Sequence, residues 1–140
     1  YKMLRENGVN VCVHIINGLP NEDRKMMLET VRELSRLDMH SIKIHLLHVL
    51  KNTELAAMYE RGEFKAMEME DYVQLVCDQI ELLSPETVVQ RVTGDGARDE
   101  LIAPMWSLKK FCVMNEIDKE LGRRNSWQGK YYKHYAEDKG

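Results

Sequence analysis

The sequence lacks long apolar runs and the features of a secretory leader. No stretch of about 18 apolar residues is present, which is the length that a membrane-spanning helix needs. The first residues also lack the basic and apolar regions of a signal peptide. These absences predict a protein that does not enter a membrane and that resides in the cytoplasm.

Cysteine is scarce, and its three positions lie far apart. Cys12, Cys77 and Cys112 form no CxxC pair, and no cysteine–histidine cluster has the spacing of a metal site. This pattern predicts reduced thiols rather than disulfides or a zinc site. No Ser-His-Asp or Cys-His arrangement can be placed either, so the sequence assigns no catalytic residue and no metal ligand to this chain.

Charge is uneven along the chain, although the net charge is only −3. Residues 1–103 contain 12 Lys and Arg against 18 Asp and Glu, whereas residues 104–140 contain 8 against 5. Near the mildly basic end, residues 130–135 interleave lysine and histidine with tyrosine, a composition that could stack on RNA bases and contact phosphates. The alternative is an arm that packs on its own domain.

The first eight residues, YKMLRENG, are typical of the last turns of a helix. Gly8 would take the left-handed position that closes such a helix. A helix this short gains little by itself, so we expect the chain to be the C-terminal part of a longer protein.

Residues 9–50 have the pattern of a βαβ unit. Alternating apolar residues predict strands at 9–16 and 41–50. Apolar residues at the 3.6-residue period predict a helix between them, at 22–38, with Asn21 as its cap. Strands joined in this way are parallel, and their crossover is almost always right-handed. The first half is therefore predicted to be α/β.

Each predicted strand has one apolar face and one mixed face. His14 on the first strand shares the mixed face with Lys43 and His45 on the second. Lys and His are costly to bury without partners or water, and ligands of parallel α/β sheets lie beyond the carboxyl ends of the strands. We therefore predict that these three residues line a cavity. A histidine in such a place can also be an ordinary hydrogen-bonded core residue.

The second half has helical patterns at 53–61, 69–83 and 107–121, the last stopped by Gly122. A short strand is predicted at 87–93. The end of the chain shows no period and is expected to be irregular.

Two local motifs suggest ligands only weakly. His45 and His48 in IHLLHV suggest a metal site, but positions three apart on one strand face opposite ways, so they are assigned no metal. TGDG at 93–96 resembles a phosphate loop, but no Lys, Ser or Thr follows it, which favours a tight turn.

Four sequence blocks together resemble the C-terminal part of the YhcC-type radical-SAM proteins, relatives of the elongator catalytic subunit and of oxygen-independent coproporphyrinogen oxidase. The blocks are HIINGLPNEDRKMMLETV, IKIHLLHVLKNTELAAMYERGEF, RVTGDG and LIAPMWSLKKFCVMNEIDKEL with a later WQG. The resemblance implies that residues 1–62 form the last two strands and helices of a partial (βα)6 TIM-like barrel. For residues 63–140 it implies a mostly helical radical-SAM C-terminal domain, with a short strand and the basic aromatic tail.

The resemblance also implies a radical mechanism for the full-length protein. A [4Fe-4S] cluster, bound by a CxxxCxxC loop and reduced by an electron donor, cleaves S-adenosylmethionine (SAM) to a 5′-deoxyadenosyl radical that abstracts hydrogen from a substrate. No CxxxCxxC occurs in these 140 residues. The chain alone is therefore expected to bind neither cofactor and to be inactive. Its substrate, a small molecule or an RNA, is not identified.

The resemblance places the adenine of SAM against Ile16, Asn17 and Gly18, and near His48 and Val49. Gly18 suits such a contact because a missing Cβ lets a flat ring approach the backbone.

Three positions depart from the family pattern. Asn21 and Asn52 stand where the family usually has Gly, and Gln90 stands where His is common. Asn tolerates the left-handed backbone, so both turns can keep their shape.

A rival hypothesis is that the chain, especially residues 84–140, is a non-catalytic module that binds RNA or a partner protein. The basic end of the chain and the resemblance to the elongator subunit favour it.

Overall fold

A computed structural model of the chain describes residues 1–37, 39–94 and 98–133. The helices are α1 (Lys2–Glu6), α2 (Arg24–Ser35), α3 (Glu54–Glu60), α4 (Met69–Leu82) and α5 (Lys110–Arg123), with a 3₁₀ helix at Met105–Leu108. The strands are β1 (Cys12–Asn17), β2 (Ser41–Leu46), β3 (Val49–Leu50), β4 (Val88–Arg91) and β5 (Leu101–Ala103). Within the described ranges, every helix is too short or too polar to cross a lipid bilayer.

Strands β1, β2 and β4 form a three-stranded parallel sheet in that order. The predicted βαβ unit is confirmed, because β1 and β2 are parallel neighbours connected by α2. The α/β class is also confirmed. The sequence did not show that β4, from the second half of the chain, extends the same sheet.

The prediction of a single strand at 41–50 is wrong. Strand β2 ends at Leu46, and the next residue donates its backbone N–H to the carbonyl of Asn17 across the end of the sheet, at 2.8 Å. Strand β3 then pairs antiparallel with β5, which the sequence analysis missed. The apolar run through 46–50 concealed the break, because both short strands are largely buried and periodicity does not separate them.

One face of the parallel sheet packs against α2, α4 and α5, and α4 contacts both of the other helices. The buried residues of this core include Ile15, Val31, Ile42, Ile44, Tyr72, Val73, Val76, Ile80, Val113 and Ile117. The helix predicted at 69–83 is confirmed as α4. Both halves of the chain contribute to this core, and the division at residue 62 stays a prediction.

Helix starts and turns differ in detail from the sequence analysis. Helix α2 is capped by Asp23, whose carboxylate accepts a hydrogen bond from the backbone N–H of Met26 at 2.8 Å, so the cap assigned to Asn21 is wrong. Asn21 instead lies in the turn before it, with φ of 67°, and Asn52 has φ of 61°. Both asparagines thus adopt the left-handed backbone that the sequence analysis expected them to tolerate.

Glycine was predicted to end two helices, α1 at Gly8 and α5 at Gly122. Gly8 has φ of 75° just after α1, as predicted. Helix α5 continues through Gly122 to Arg123, so the predicted stop at Gly122 is wrong. Asn125, with φ of 51°, lies where the chain leaves the helix. A glycine inside a helix costs about 1 kcal/mol relative to alanine, which packing and ion pairs of α5 can offset.

The segment after α5 packs on the protein as far as it is described. The side-chain amide of Gln128 donates to the carbonyls of Ser84 and Thr87, at 2.7 Å each. The backbone N–H groups of Gly129 and Tyr131 bond to the last turns of α4. The residues from His134 onward, part of the segment predicted to contact RNA, lie outside the described residues.

Candidate functional site

The second face of the parallel sheet is open. On β1, His14 is exposed and Ile16 is 46% exposed, whereas Ile15 between them is buried. On β2, Lys43 and His45 are half-buried. The alternation predicted for both strands is therefore confirmed, and polar side chains lie on the face away from the helices.

The structure brings the three predicted cavity residues together. The register of the sheet pairs His14 with Lys43 and Ile16 with His45. The Nδ1 atom of His14 lies 3.1 Å from the Nε2 atom of His45, and the two rings stack with centroids 5.1 Å apart. One ring must donate and the other accept in this hydrogen bond, so the pair shares a proton. Their role in a substrate cavity stays a prediction.

A β-bulge in β4 places a further basic residue, Arg91, opposite Lys43. Ile42 pairs with Val89, but the next residue, Lys43, pairs with Arg91, so Gln90 is the extra residue. Bulges re-aim side chains and occur often beside active sites. Without the extra residue, regular pairing would place Gln90 opposite Lys43. The sequence analysis missed Arg91, because strand alternation cannot show a bulge.

Electrostatics at the carboxyl end of β2 disfavour a charged histidine. Partial burial lowers the pKa of His45 from its ordinary value of 6.5, and the nearby basic groups of His14, Arg91, Lys43 and His48 lower it further. Burial and like charges both penalise the protonated ring. His45 therefore favours the neutral form, which can donate at one ring nitrogen and accept at the other.

His48 approaches the site from the loop after β2. The sequence analysis placed His45 and His48 on one strand with opposite directions, and this premise is wrong because β2 ends before His48. Both rings lie beside Gly94, where an added Cβ would be 3.2 Å from Cε1 of His48 and 3.9 Å from Nδ1 of His45. Among the described residues, no group of three or more His, Cys, Asp or Glu is arranged to hold a metal ion.

The residues implied for adenine binding have different environments. Ile16 offers an exposed side chain at the end of β1, and Gly18 has φ of 94°. Asn17 is 2% exposed and its amide is bonded to Gln79, while Val49 is 1% exposed. A ligand at this end of the sheet would therefore reach the side chain of Ile16 more readily than that of Asn17 or Val49. The assignment of these residues and of His48 to a cofactor stays a prediction.

A cleft of about 180 Å³ lies beside β1 and includes a buried acceptor that the sequence analysis missed. His14, Ile16 and Glu22 are among its lining residues. The Oε2 atom of Glu22 is buried and has no hydrogen-bond partner within the described part of the chain. The apolar side chain of Ile16 beside the unpartnered Oε2 of Glu22 fits a flat ligand that carries a hydrogen-bond donor. The adenine of SAM is flat and carries a donor in its amino group.

The thiols do not fit an iron–sulfur cluster. Cys77 is buried in the core with its Sγ 3.6 Å from the carbonyl of Ile117, and Cys112 is exposed on α5. Cys12 lies on the open sheet face, with its Sγ 3.7 Å from Oε1 of Gln90. The three positions lie on separate elements, whereas a [4Fe-4S] cluster needs several thiolates around one centre.

Comparison with known proteins identifies relatives over most of the chain. Residues 39–123 match the radical-SAM C-terminal domain family. The uncharacterized protein YtqA of Bacillus subtilis is 51% identical over 135 residues, which are 96% of this chain and 42% of YtqA. Protein YhcC of Escherichia coli is 32% identical over 120 residues, which are 86% of this chain and 39% of YhcC. The chain thus spans about two fifths of the length of these relatives.

A solved structure has the same fold. The archaeal Methanocaldococcus infernus Elp3 with an N-terminal deletion superposes with a TM-score of 0.74, covering 89% of this chain and 29% of that chain. At 18% sequence identity, the likeness establishes a shared fold.

Proposed function

The chain belongs to the radical-SAM C-terminal domain family, and on this premise we propose that the complete protein is a radical-SAM oxidoreductase. Strands β1 and β2 would be the last strands of a partial (βα)6 barrel, followed by the C-terminal domain. The observation that carries the proposal is the open sheet face on which His14, Lys43 and His45 meet on two neighbouring parallel strands, with His45 near the carboxyl end of β2.

The residues of this chain would form one wall of the reaction cavity. Lys43 would bind the substrate, and the hydrogen-bonded pair of His14 and His45 would orient it and hold a proton between the two rings. Ile16 would cover one face of adenine. The bound cofactors would supply a 5′-deoxyadenosyl radical, generated by reductive cleavage of SAM, that abstracts hydrogen from the substrate.

The iron–sulfur cluster would be bound elsewhere in the complete protein. None of the three thiols fits a cluster, and no CxxxCxxC occurs in these 140 residues. We expect the isolated chain to produce no radical, because it would lack both the cluster and the site where an electron donor delivers its electron.

The test is anaerobic assay of the complete protein, reconstituted with iron and sulfide and supplied with SAM and a reductant. Formation of 5′-deoxyadenosine, measured by mass spectrometry, is the expected result. His14→Ala should reduce it about tenfold, which corresponds to about 1.4 kcal/mol, with an unchanged circular dichroism spectrum. His40→Ala is the matched control, because His40 precedes β2 and is not one of the residues assigned to the cavity. A reconstituted protein that yields no 5′-deoxyadenosine would contradict the proposal, and undiminished activity of His14→Ala would contradict the cavity assignment.

A second function, RNA binding, is favoured by an aromatic surface after α5. Trp127 and Tyr131 are each 58% exposed. The Nζ atom of Lys130 lies 5.3 Å from the ring centroid of Trp127 and 5.5 Å from that of Tyr131. Exposed aromatic rings with an adjacent cation are the elements that stack nucleobases and contact phosphates.

RNA binding is tested with a fluorescent single-stranded RNA at several salt concentrations. The affinity should fall with salt, because binding to phosphates releases counterions. The Trp127→Ala and Tyr131→Ala double variant should weaken binding, whereas Phe111→Ala, at the exposed aromatic residue of α5, should not. Equal losses from both variants would indicate nonspecific adhesion and contradict the aromatic site.

A further inference from the structure

Two methionine side chains contact the turn that follows β1. A Cβ added at Gly18 would lie 3.5 Å from the Sδ atom of Met67 and 3.7 Å from the Cβ atom of Leu47. The backbone N–H of Gly18 donates to the Sδ atom of Met27 on α2, at 3.3 Å. The side of Gly18 to which a Cβ would point is therefore covered by Met67, and a ligand ring would reach this turn from another side.

Met67 lies in an irregular segment, residues 64–68, between α3 and α4. Its backbone carbonyl accepts a hydrogen bond from the indole N–H of Trp106, at 2.8 Å. A methionine side chain has three rotatable bonds and adapts its shape to the space around it. A fixed backbone limits the positions that the sulfur can reach, so the bond from Trp106 acts on the contact between Met67 and Gly18.

Trp106 is itself held by the core. It lies in the 3₁₀ helix after β5, and its ring packs against that of Tyr72, with centroids 5.4 Å apart. Tyr72 is fully buried, and its hydroxyl donates to the carbonyl of Val92 at 2.6 Å. The indole ring therefore has a fixed support from which its N–H reaches the irregular segment.

A cavity of about 650 Å³ lies beside this hydrogen bond, and Met67 and Trp106 are among its lining residues. Close-packed side chains are held in place by their neighbours, but a cavity supplies no such neighbours on its side. The hydrogen bond between Trp106 and Met67 therefore supplies a restraint that packing does not supply there.

Trp106 also adjoins the second segment that the resemblance assigns to adenine. Strand β5 ends at Ala103, shortly before Trp106, and Ala103 pairs with Val49 of β3. Both ends of the predicted adenine site, at Gly18 and at Val49, are thus connected to the same short stretch of chain.

We propose that Trp106 is a positioning residue for the cofactor site: it holds Met67 against Gly18, and Met67 fixes the turn beside which SAM binds. The inference rests on the proposed function for the statement that the bound molecule is SAM. Displacements of about 1 Å are enough to weaken the contacts of a site, so a residue that touches no ligand can still control binding.

The test is a calorimetric titration of the complete protein with SAM. The protein is reconstituted with iron and sulfide but receives no reductant, so the titration measures binding without turnover. Trp106→Phe keeps an aromatic ring beside Tyr72 but removes the indole N–H. It should raise the dissociation constant about fivefold, which corresponds to about 1 kcal/mol, the typical net contribution of one hydrogen bond.

Gln128→Ala is the matched control, because it also removes hydrogen bonds to backbone carbonyls. The partners of Gln128 are Ser84 and Thr87, which precede β4 and lie at the amino edge of the parallel sheet. Gly18 follows β1 and lies at the carboxyl edge. The control should therefore leave the dissociation constant for SAM unchanged.

A double-mutant cycle separates a positioning role from a general structural one. Met67→Ala shortens the side chain that covers Gly18 and should also raise the dissociation constant about fivefold. Because Trp106 acts through Met67, the double variant should bind SAM about as well as either single variant. Independent effects would multiply to about 25-fold and would overturn the proposal.

NMR of the complete protein, labelled at its glycine amides, reports on the turn itself without SAM. Trp106→Phe should shift the amide signal of Gly18, and Gln128→Ala should not. If Trp106→Phe prevents folding, Met67→Ala should give the same shift and the same loss of affinity.

The outcomes distinguish this inference from the proposed function. An unchanged Gly18 signal, or unchanged SAM affinity in the variants of Trp106 and Met67, would overturn the inference and leave the enzyme proposal intact. Conversely, a shifted Gly18 signal in a reconstituted protein that neither binds SAM nor forms 5′-deoxyadenosine would contradict the enzyme proposal, whereas the link from Trp106 to the turn would stand.

Discussion

The side-chain amides of Asn17 and Gln79 bond to each other twice in the protein interior. The amide nitrogen of each donates to the amide oxygen of the other, at 2.8 Å in both directions. Asn17 is 2% exposed and Gln79 is fully buried, so this pair joins the end of β1 to the last turn of α4. Two polar groups are tolerated there because each satisfies the other.

Replacement of one member of this pair should be costly. Asn17→Ala is expected to lower the free energy of unfolding by about 1–3 kcal/mol, because the buried amide of Gln79 loses its partner. The Asn17→Leu and Gln79→Leu double variant should cost less than the sum of the single changes. Urea unfolding measures each value. Asn115→Ala, at an exposed position on α5, is the control and should change stability by less than about 0.5 kcal/mol.

Arg124 should be a main electrostatic contact between α4 and α5. Its guanidinium contacts Asp78, Glu81 and Glu120 and is only 20% exposed. Arg124→Met should lower the free energy of unfolding by about 3 kcal/mol, because the buried carboxylate of Glu81 loses its cation. Arg123→Met is the matched control, since its side chain is 59% exposed, and should cost less than about 1 kcal/mol. Equal effects of the two variants would contradict this assignment.

Stability should fall as the pH decreases through and below 6.5, in part because of His45. Its pKa is lowered in the folded state by partial burial and then by nearby basic groups. The unfolded chain therefore binds a proton at a higher pH than the folded chain does, and protonation favours unfolding. His45→Gln should reduce the drop in melting temperature between a pH above 6.5 and a pH well below it. Asn115→Gln, at an exposed position on α5 and with no titratable side chain, is the control and should leave the drop unchanged.

The start of α2 gives a direct test of the corrected cap. Asp23→Ala should lower the free energy of unfolding by about 1 kcal/mol, because the N–H of Met26 loses its acceptor. Asn21→Gly should be neutral or stabilising, since Asn21 has φ of 67° and glycine adopts this conformation without steric cost. A larger loss of stability from Asn21→Gly than from Asp23→Ala, measured by thermal unfolding, would indicate that Asn21 is the cap.

Local chemistry made much of the fold predictable. Period-two alternation identified β1 and the start of β2, and the helical period identified α4 to within one residue at its end. Asp23 was missed as a cap because two residues with suitable side chains, Asn21 and Asp23, follow Pro20, and the sequence does not show which of them has extended backbone. Strand β5 was missed because three residues provide no periodicity.

The candidate site was predictable only where local rules of strand alternation and strand pairing determine it. The shared face of His14, Lys43 and His45 followed from alternation and parallel pairing, both of which are local rules. The position of Arg91 depends on a bulge and on the pairing of a strand that is distant in sequence. The burial of Oε2 of Glu22 depends on how the turn before α2 folds. These are tertiary relationships, so no spacing in the sequence encodes them.

The recruitment of β4 into the parallel sheet has an evolutionary consequence. A recombination event near residue 62 between two relatives would exchange the helical half and, with it, the strand that carries Arg91. The hybrid would keep the histidine pair of the first half but inherit the guanidinium, or its replacement, from the other parent. The chemistry of the open sheet face could therefore change in a single genetic step, without any change in the strands that contain the histidines.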